Sequence, residues 1–190
     1  MQTGSDGYSS DVVAFWKSGR STYIKKSYPQ RTWDYLFESA GPGCAFVISR
    51  QLVLDIQNTL REHQKMSMGV GLHDWFTYAF ARAHGYRWVI DDFASLMYRQ
   101  HDANQVGVNS GWSAFVWRAQ RVLSGWGLSQ ARLIATLVGQ VDHPFVCHWS
   151  NGSRWGLLVL ALKAPHCRRK PLDRVWFAAS CPSLAVIGWT

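Results

Sequence analysis

The run Cys44–Ile48 (CAFVI) constrains the fold more than any other stretch. It is bounded in front by Gly41-Pro42-Gly43 and behind by Ser49-Arg50. Consecutive apolar residues closed off by turn residues suit a strand covered on both faces. A strand of that kind needs helices beside it, and the following residues supply them. Leu52, Val53, Ile56 and Leu60 recur at helical spacing, so Arg50 to about His63 is an amphipathic helix that Ser49 can cap. Gln64–Leu72 is a loop containing Met and Gly. Asp74 is placed to cap a helix through Ala83, ended by Gly85. Tyr86–Ile90 and Ser95–Tyr98 read as strands, with the acidic pair Asp91-Asp92 between them.

The flanks differ from this α/β centre. Residues 1–10 are polar and read as a flexible end, and Val12–Trp16 as a short strand or helical turn. Lys17–Arg31 holds Lys17, Arg20, Lys25, Lys26 and Arg31 with no acid, and reads as a basic loop. Thr32–Ser39 is a short aromatic segment of helical character. In the last third, Ser110 can cap a helix ended by Gly125, and Ser129 a second ended by Gly139. Arg154–Lys163 and Leu172–Ser180 look like two more. The expected division is a basic N-terminal segment over 1–31, an α/β part over 32–109 and a helical extension over 110–190.

Composition narrows the class. Of 190 residues, 47% are hydrophobic and 17% charged, which excludes a disordered chain. Cys44, Cys147, Cys167 and Cys181 form no CxxC pair, so zinc ribbons and disulfide scaffolds are disfavoured and reduced thiols expected. The net charge of +8 favours anionic partners. The 11 Trp suit sugar stacking, a membrane interface or an aromatic core. Met1–Ser10 lacks the apolar stretch of a secretory signal, and no run reaches the length of a membrane span. Val175–Thr190 is apolar but interrupted by Pro182.

Several constellations could carry chemistry. In Gly71-Leu72-His73-Asp74-Trp75-Phe76, a carboxylate at a helix N-terminus meets free N–H groups and the positive end of the helix dipole, which favours the anion. Such a group can serve as a general base toward a hydroxyl. Otherwise Asp74 is simply a cap. Tyr98-Arg99-Gln100-His101 could meet phosphate oxygens, and His101 is a candidate metal ligand; the alternative is a solvated strand end. Gly41-Pro42-Gly43-Cys44 lets backbone approach a ligand closely, or is an ordinary tight turn. The seven His show no HExxH spacing. Arg168-Arg169-Lys170 could touch anionic head groups beside Trp155, Trp176 and Phe177, or be a solvated linker. Nucleic-acid binding has only the charge in its favour.

The order of these pieces resembles the C-terminal half of family 2 glycosyltransferases of the GT-A type, most of all the bacterial rhamnosyltransferases that build O-antigen and related polysaccharides. The residues that carry the likeness are Gly41–Cys44, Ser49-Arg50, His73-Asp74-Trp75, Asp91-Asp92, Tyr98–His101, Asn104 and Gly107, and it covers about residues 30–125. The resemblance implies a partial GT-A-like mixed sheet with flanking helices, followed by a helical tail. It implies Asp74 as the catalytic base, with His73, Trp75, Gly43 and Cys44 lining the acceptor cleft. Arg99, Gln100 and His101 would lie at the donor pyrophosphate. It further implies an inverting transfer from a nucleotide-sugar to a glycan or lipid-linked acceptor, assisted by Mg or Mn. The setting implied is the bacterial cytoplasm at the inner face of the membrane. The family's donor half, with its DxD-like acids, has no counterpart: Ser5–Asp11 (SDGYSSD) has acids but no parallel-sheet context. By that reading the chain is the second half of a larger domain and lacks donor binding by itself. The competing expectation is a non-catalytic membrane-surface or carbohydrate-binding module.

Overall fold

The computed structural model describes residues 4–100 and 124–188. An α/β arrangement is found, with an open mixed sheet and helices on its flanks. Its central strand is β1 (Gly7–Phe15), paired in parallel along one edge with a long strand over Trp88–Arg99. The opposite edge takes two antiparallel partners: β2 (Ser21–Ile24) on Val12–Phe15, and β3 (Val47–Ile48) on Gly7-Tyr8. The long strand is β4. It bulges where the register jumps from Ser10 opposite Asp91 to Val12 opposite Leu96. Tyr86–Ile90 and Ser95–Tyr98 therefore belong largely to one strand, with Asp91 and Asp92 at its irregularity.

The N-terminal residues from Gly7 onward form this central strand where a flexible end is expected, and β2 lies inside the expected basic loop. Polar composition concealed both. Ser9, Ser10 and Asp11 are fully buried, and each polar group has a partner. Ser9 Oγ donates to Ala40 O at 3.3 Å and accepts from the Trp88 indole at 3.0 Å. Ser10 and Ser95 hydroxyls lie 2.6 Å apart. Asp11 sits between the segments taken by β2 and β3. Its carboxylate accepts from the amides of Lys26 and Ser27 and from the Tyr23 hydroxyl, in effect replacing ladder bonds. Ser5–Asp11 thus does lie in a parallel-sheet context, contrary to expectation, through its pairing with β4.

The run Cys44–Ile48 is also reassigned. Gly43–Ala45 is a single 3-10 turn, closed by Ala45 N–H to Pro42 O (2.9 Å) and Phe46 N–H to Gly43 O (3.1 Å). Only Val47-Ile48 pairs as strand, and Val47 is exposed. Pro42 at φ −68° favours the turn, so the backbone bonds are made locally.

The helices follow their local signals more closely. Helix α1 (Arg50–Glu62) is capped by Ser49, whose Oγ accepts from Leu52 N–H at 3.3 Å. A short α2 (Gln64–Ser67) occupies the expected loop. Helix α3 (His73–Ala83) ends before Gly85, which sits at φ +78°. Trp126–Leu137 forms α4; it begins at Gly125 (φ +70°), so Ser129 lies inside it rather than capping it. The Ser110 helix falls outside the described residues. Helix α5 (Pro144–Ser150) is capped by the His143 ring, which accepts from Phe145 N–H. Then come α6 (Arg154–Leu162), α7 (Ala164–Cys167) and α8 (Pro171–Ile187), which runs through Pro182. One hydrophobic core joins the two parts: Leu36, Phe37, Tyr78, Ile134, Trp149 and Leu157 belong to the same cluster.

Arg168 and Arg169 are not a free basic patch. Arg169 is 3% exposed, with Nε 3.2 Å from Glu38 Oε1 and 3.4 Å from Asp34 Oδ2. Asp34 also binds Arg82 (3.2 Å) and accepts from the Tyr78 hydroxyl (3.0 Å). Arg168 lies 3.6 Å from Asp173 and donates to Phe37 O at 2.6 Å. The basic segment that begins α8 is in this way locked onto Asp34–Ser39.

Candidate functional site

Helix α3 presents the His73-Asp74 pair in its first turn. The N-cap is Leu72 and its side chain caps nothing. Asp74 is not the cap, against the simplest expectation; its Oδ1 accepts from the next amide, Trp75 N–H, at 2.8 Å. The loop before the helix is held by Gln130 of α4, which accepts from Gly71 N–H (2.8 Å) and donates to Gly69 O (3.0 Å). Two elements distant in sequence thereby fix where α3 begins.

The Gly41–Cys44 turn closes over this helix start. A Cβ added at Gly43 would stand 2.7 Å from His73 Nε2 and 3.3 Å from Asp74 Cβ, so only glycine fits without displacing the pair. Gly43, His73 and Asp74 are therefore neighbours. Cys44, exposed, is close enough to feel the charge of Asp74: burial first, and the Asp74 carboxylate after it, raise its thiol above the ordinary value. The Tyr98 hydroxyl is raised by burial and then by Cys44 and Asp74, so the end of β4 lies within electrostatic reach of Asp74.

Tyr98 is the residue that sequence reasoning left out of this cluster. Alternation along Leu96-Met97-Tyr98-Arg99 was readable, but which face meets α3 depends on the pairing of Ala14 with Tyr98. The same alternation puts Arg99 on the face opposite Tyr98, and Arg99 is exposed. Gln100 is buried, and its backbone N–H donates to Phe15 O at 2.8 Å. Trp75 turns inward, 5% exposed, its indole donating to Tyr35 O at 2.9 Å; it packs in the core rather than lining the open side. His101, the expected metal ligand and pyrophosphate contact, lies outside the described residues, as do Asn104 and Gly107.

The Mg or Mn implied by the resemblance finds no donor set among the described residues, which do not include His101. Among the described residues no group of three His, Cys, Asp or Glu side chains could hold a metal ion. Asp91 is engaged by the Tyr8 hydroxyl (3.0 Å) and Phe93 N–H (3.0 Å). No step is therefore assigned to a metal. A cavity of about 470 Å³ lies elsewhere, between Trp33, Phe145, Trp149, Leu160 and Lys163; His148 and His166 line it, and none of Gly43, Cys44, His73, Asp74, Arg99 and Gln100 does. What the Asp74 cluster offers is a carboxylate within electrostatic reach of a thiol and a phenol, at a glycine turn where backbone comes close. That arrangement suits removal of a proton from a hydroxyl.

The chain is 36% identical over 169 residues to the dTDP-rhamnosyl transferase RfbG of Shigella flexneri. The aligned part is 89% of this chain and 58% of that protein, so the chain spans little more than half the length of the relative. This likeness supports a glycosyltransferase relationship. No family model and no solved structure matches the chain.

Proposed function

We propose that this chain is the acceptor-side part of a family 2, GT-A-type glycosyltransferase, and that it serves the transfer of rhamnose from a nucleotide-sugar to a glycan or lipid-linked acceptor. The observation that carries the reading is the convergence of Asp74, Gly43, Cys44 and Tyr98 at the start of α3. The likeness to a dTDP-rhamnosyl transferase supports the sugar class. Asp74 takes the proton of the acceptor hydroxyl. The acceptor oxygen then forms its bond to the anomeric carbon as the bond from that carbon to the nucleotide diphosphate breaks, which inverts the centre. The diphosphate leaves with the electron pair, and cationic groups stabilise it. His73 and Gly43 shape the edge where the acceptor hydroxyl lies. The setting proposed is the inner face of the bacterial cytoplasmic membrane.

The test is a transfer assay with dTDP-rhamnose and a bacterial glycolipid acceptor, run beside an NMR titration of the chain with a rhamnose-containing oligosaccharide. The titration is expected to move the signals of Gly43, His73, Asp74 and Tyr98. Where transfer is seen, Asp74→Asn is expected to lower it by a factor of about 10²–10⁴ with the fold intact. Shifts confined to surfaces remote from α3, or full transfer by Asp74→Asn, overturn the reading.

A further inference from the structure

Helices α6 and α8 pack against each other, joined through α7 as a helical hairpin. Each buries one side. Leu157 and Leu160 of α6, and Cys181, Leu184 and Ala185 of α8, enter the core. The opposite sides remain apolar. On α6, Trp155 (77% exposed), Leu158, Val159 and Leu162 (81%) recur at i, i+3, i+4 and i+7. On α8, Leu172, Val175, Trp176, Val186 (80%) and Ile187 fall on one outward stripe. Apolar stripes of this size on neighbouring helices mark an interaction surface.

The charges around the stripes define the partner. Arg154 opens α6, Lys163 follows its last residue and Lys170 precedes α8; all three are exposed. The lone acid in the described stretch from 143 onward is Asp173, which is already 3.6 Å from Arg168. A second copy would bring like charges face to face. An anionic lipid surface complements them: apolar side chains enter the head-group boundary, Trp155 and Trp176 sit at its polar level, and the cations meet lipid phosphates. Among the described residues no helix is long and apolar enough to cross a membrane, so the contact is one of lying on the surface. We propose that the outward face of α6 and α8 docks this protein on an anionic lipid bilayer. The proposal rests on the membrane setting proposed above and assigns it a surface; it is independent of the chemistry at Asp74.

It is tested by flotation of the chain with vesicles of phosphatidylcholine alone and of phosphatidylcholine mixed with phosphatidylglycerol. Binding to the mixed vesicles is expected, falling with salt. The charge variant Arg154→Gln/Lys163→Gln/Lys170→Gln is expected to lose about a hundredfold in affinity. Trp155→Ser/Trp176→Ser is expected to abolish flotation with an unchanged circular dichroism spectrum. If that variant does not fold, the charge variant, whose three substituted side chains are all exposed, decides. Failure to float, equal flotation with both vesicle types, or a lipid-free dimer in sedimentation that the Trp substitutions dissolve each overturns the proposal.

Discussion

Arg169, near the end of the chain, is paired with Asp34, near its start. Its Nε stands 3.4 Å from Asp34 Oδ2, with Asp34 completely buried and Arg169 nearly so. The same guanidinium donates to Ser39 O and to Glu38. One side chain therefore fixes the start of α8 to the turn that leads into Gly41–Cys44. Removing one partner of such a pair leaves a charge buried without its counterion, which costs far more than the pair contributes. Arg169→Met is expected to destabilise the protein by about 3 kcal/mol, read as a lower urea midpoint at unchanged slope. A loss within the error of the wild-type value would mean that Arg82 and Tyr78 suffice for Asp34.

Asp11 makes the sheet sensitive to acid. Burial pushes its carboxyl up, but the hydrogen bonds from the Tyr23 hydroxyl and from Lys26 and Ser27 outweigh this and hold it below its ordinary value of 3.8. Tyr23 in turn is pushed up to about 12, chiefly by its bond to Asp11. A carboxyl lowered in the folded state binds fewer protons there than in the unfolded chain. Its stabilisation is thus complete above 3.8 and lost as pH falls through the folded value. Asp11→Asn is expected to be less stable than the wild type near neutrality, the gap closing as pH drops below 3.8. Unfolding curves over a pH series check it; a gap that widens in acid would contradict the assignment.

Gly43 faces the far end of the His73 ring, which can turn aside. Gly43→Ala is therefore expected to change stability by less than about 1 kcal/mol while displacing His73 and Asp74. Thermal unfolding beside oligosaccharide titration separates the two effects. Unchanged binding would remove Gly43 from the site.

Gly156 and Gly127 lie in helices and behave oppositely. A Cβ at Gly156 would fall 1.7 Å from His148 O, backbone that cannot yield, so α5 and α6 must part. Gly156→Ala is expected to cost about 3 kcal/mol. At Gly127 a Cβ meets nothing within 4 Å, and Ala there is expected to stabilise α4 by about 0.7 kcal/mol. Denaturant midpoints of the two variants test the close approach; equal effects would refute it.

What the sequence determined by itself was local. The spacing of Leu52, Ile56 and Leu60 with Ser49 ahead of them was enough for α1, because a helix bonds within four residues and its cap lies next to it. Ala83 with Gly85 marked the end of α3 for the same reason. Only the tertiary structure decided the rest. Ser9, Ser10 and Asp11 read as surface residues until partners as remote as Trp88, Ser95 and Tyr23 satisfy them in the central strand. Trp75 turns inward, and Tyr98 takes the face of β4 opposite Arg99, because strand register and the placement of α3 fix their directions. Arg169 looks solvated in sequence and is buried in fact, since the carboxylates that permit it stand 131 residues or more earlier in the chain. A buried polar group is admitted only by its partners, and no local pattern announces partners that far away.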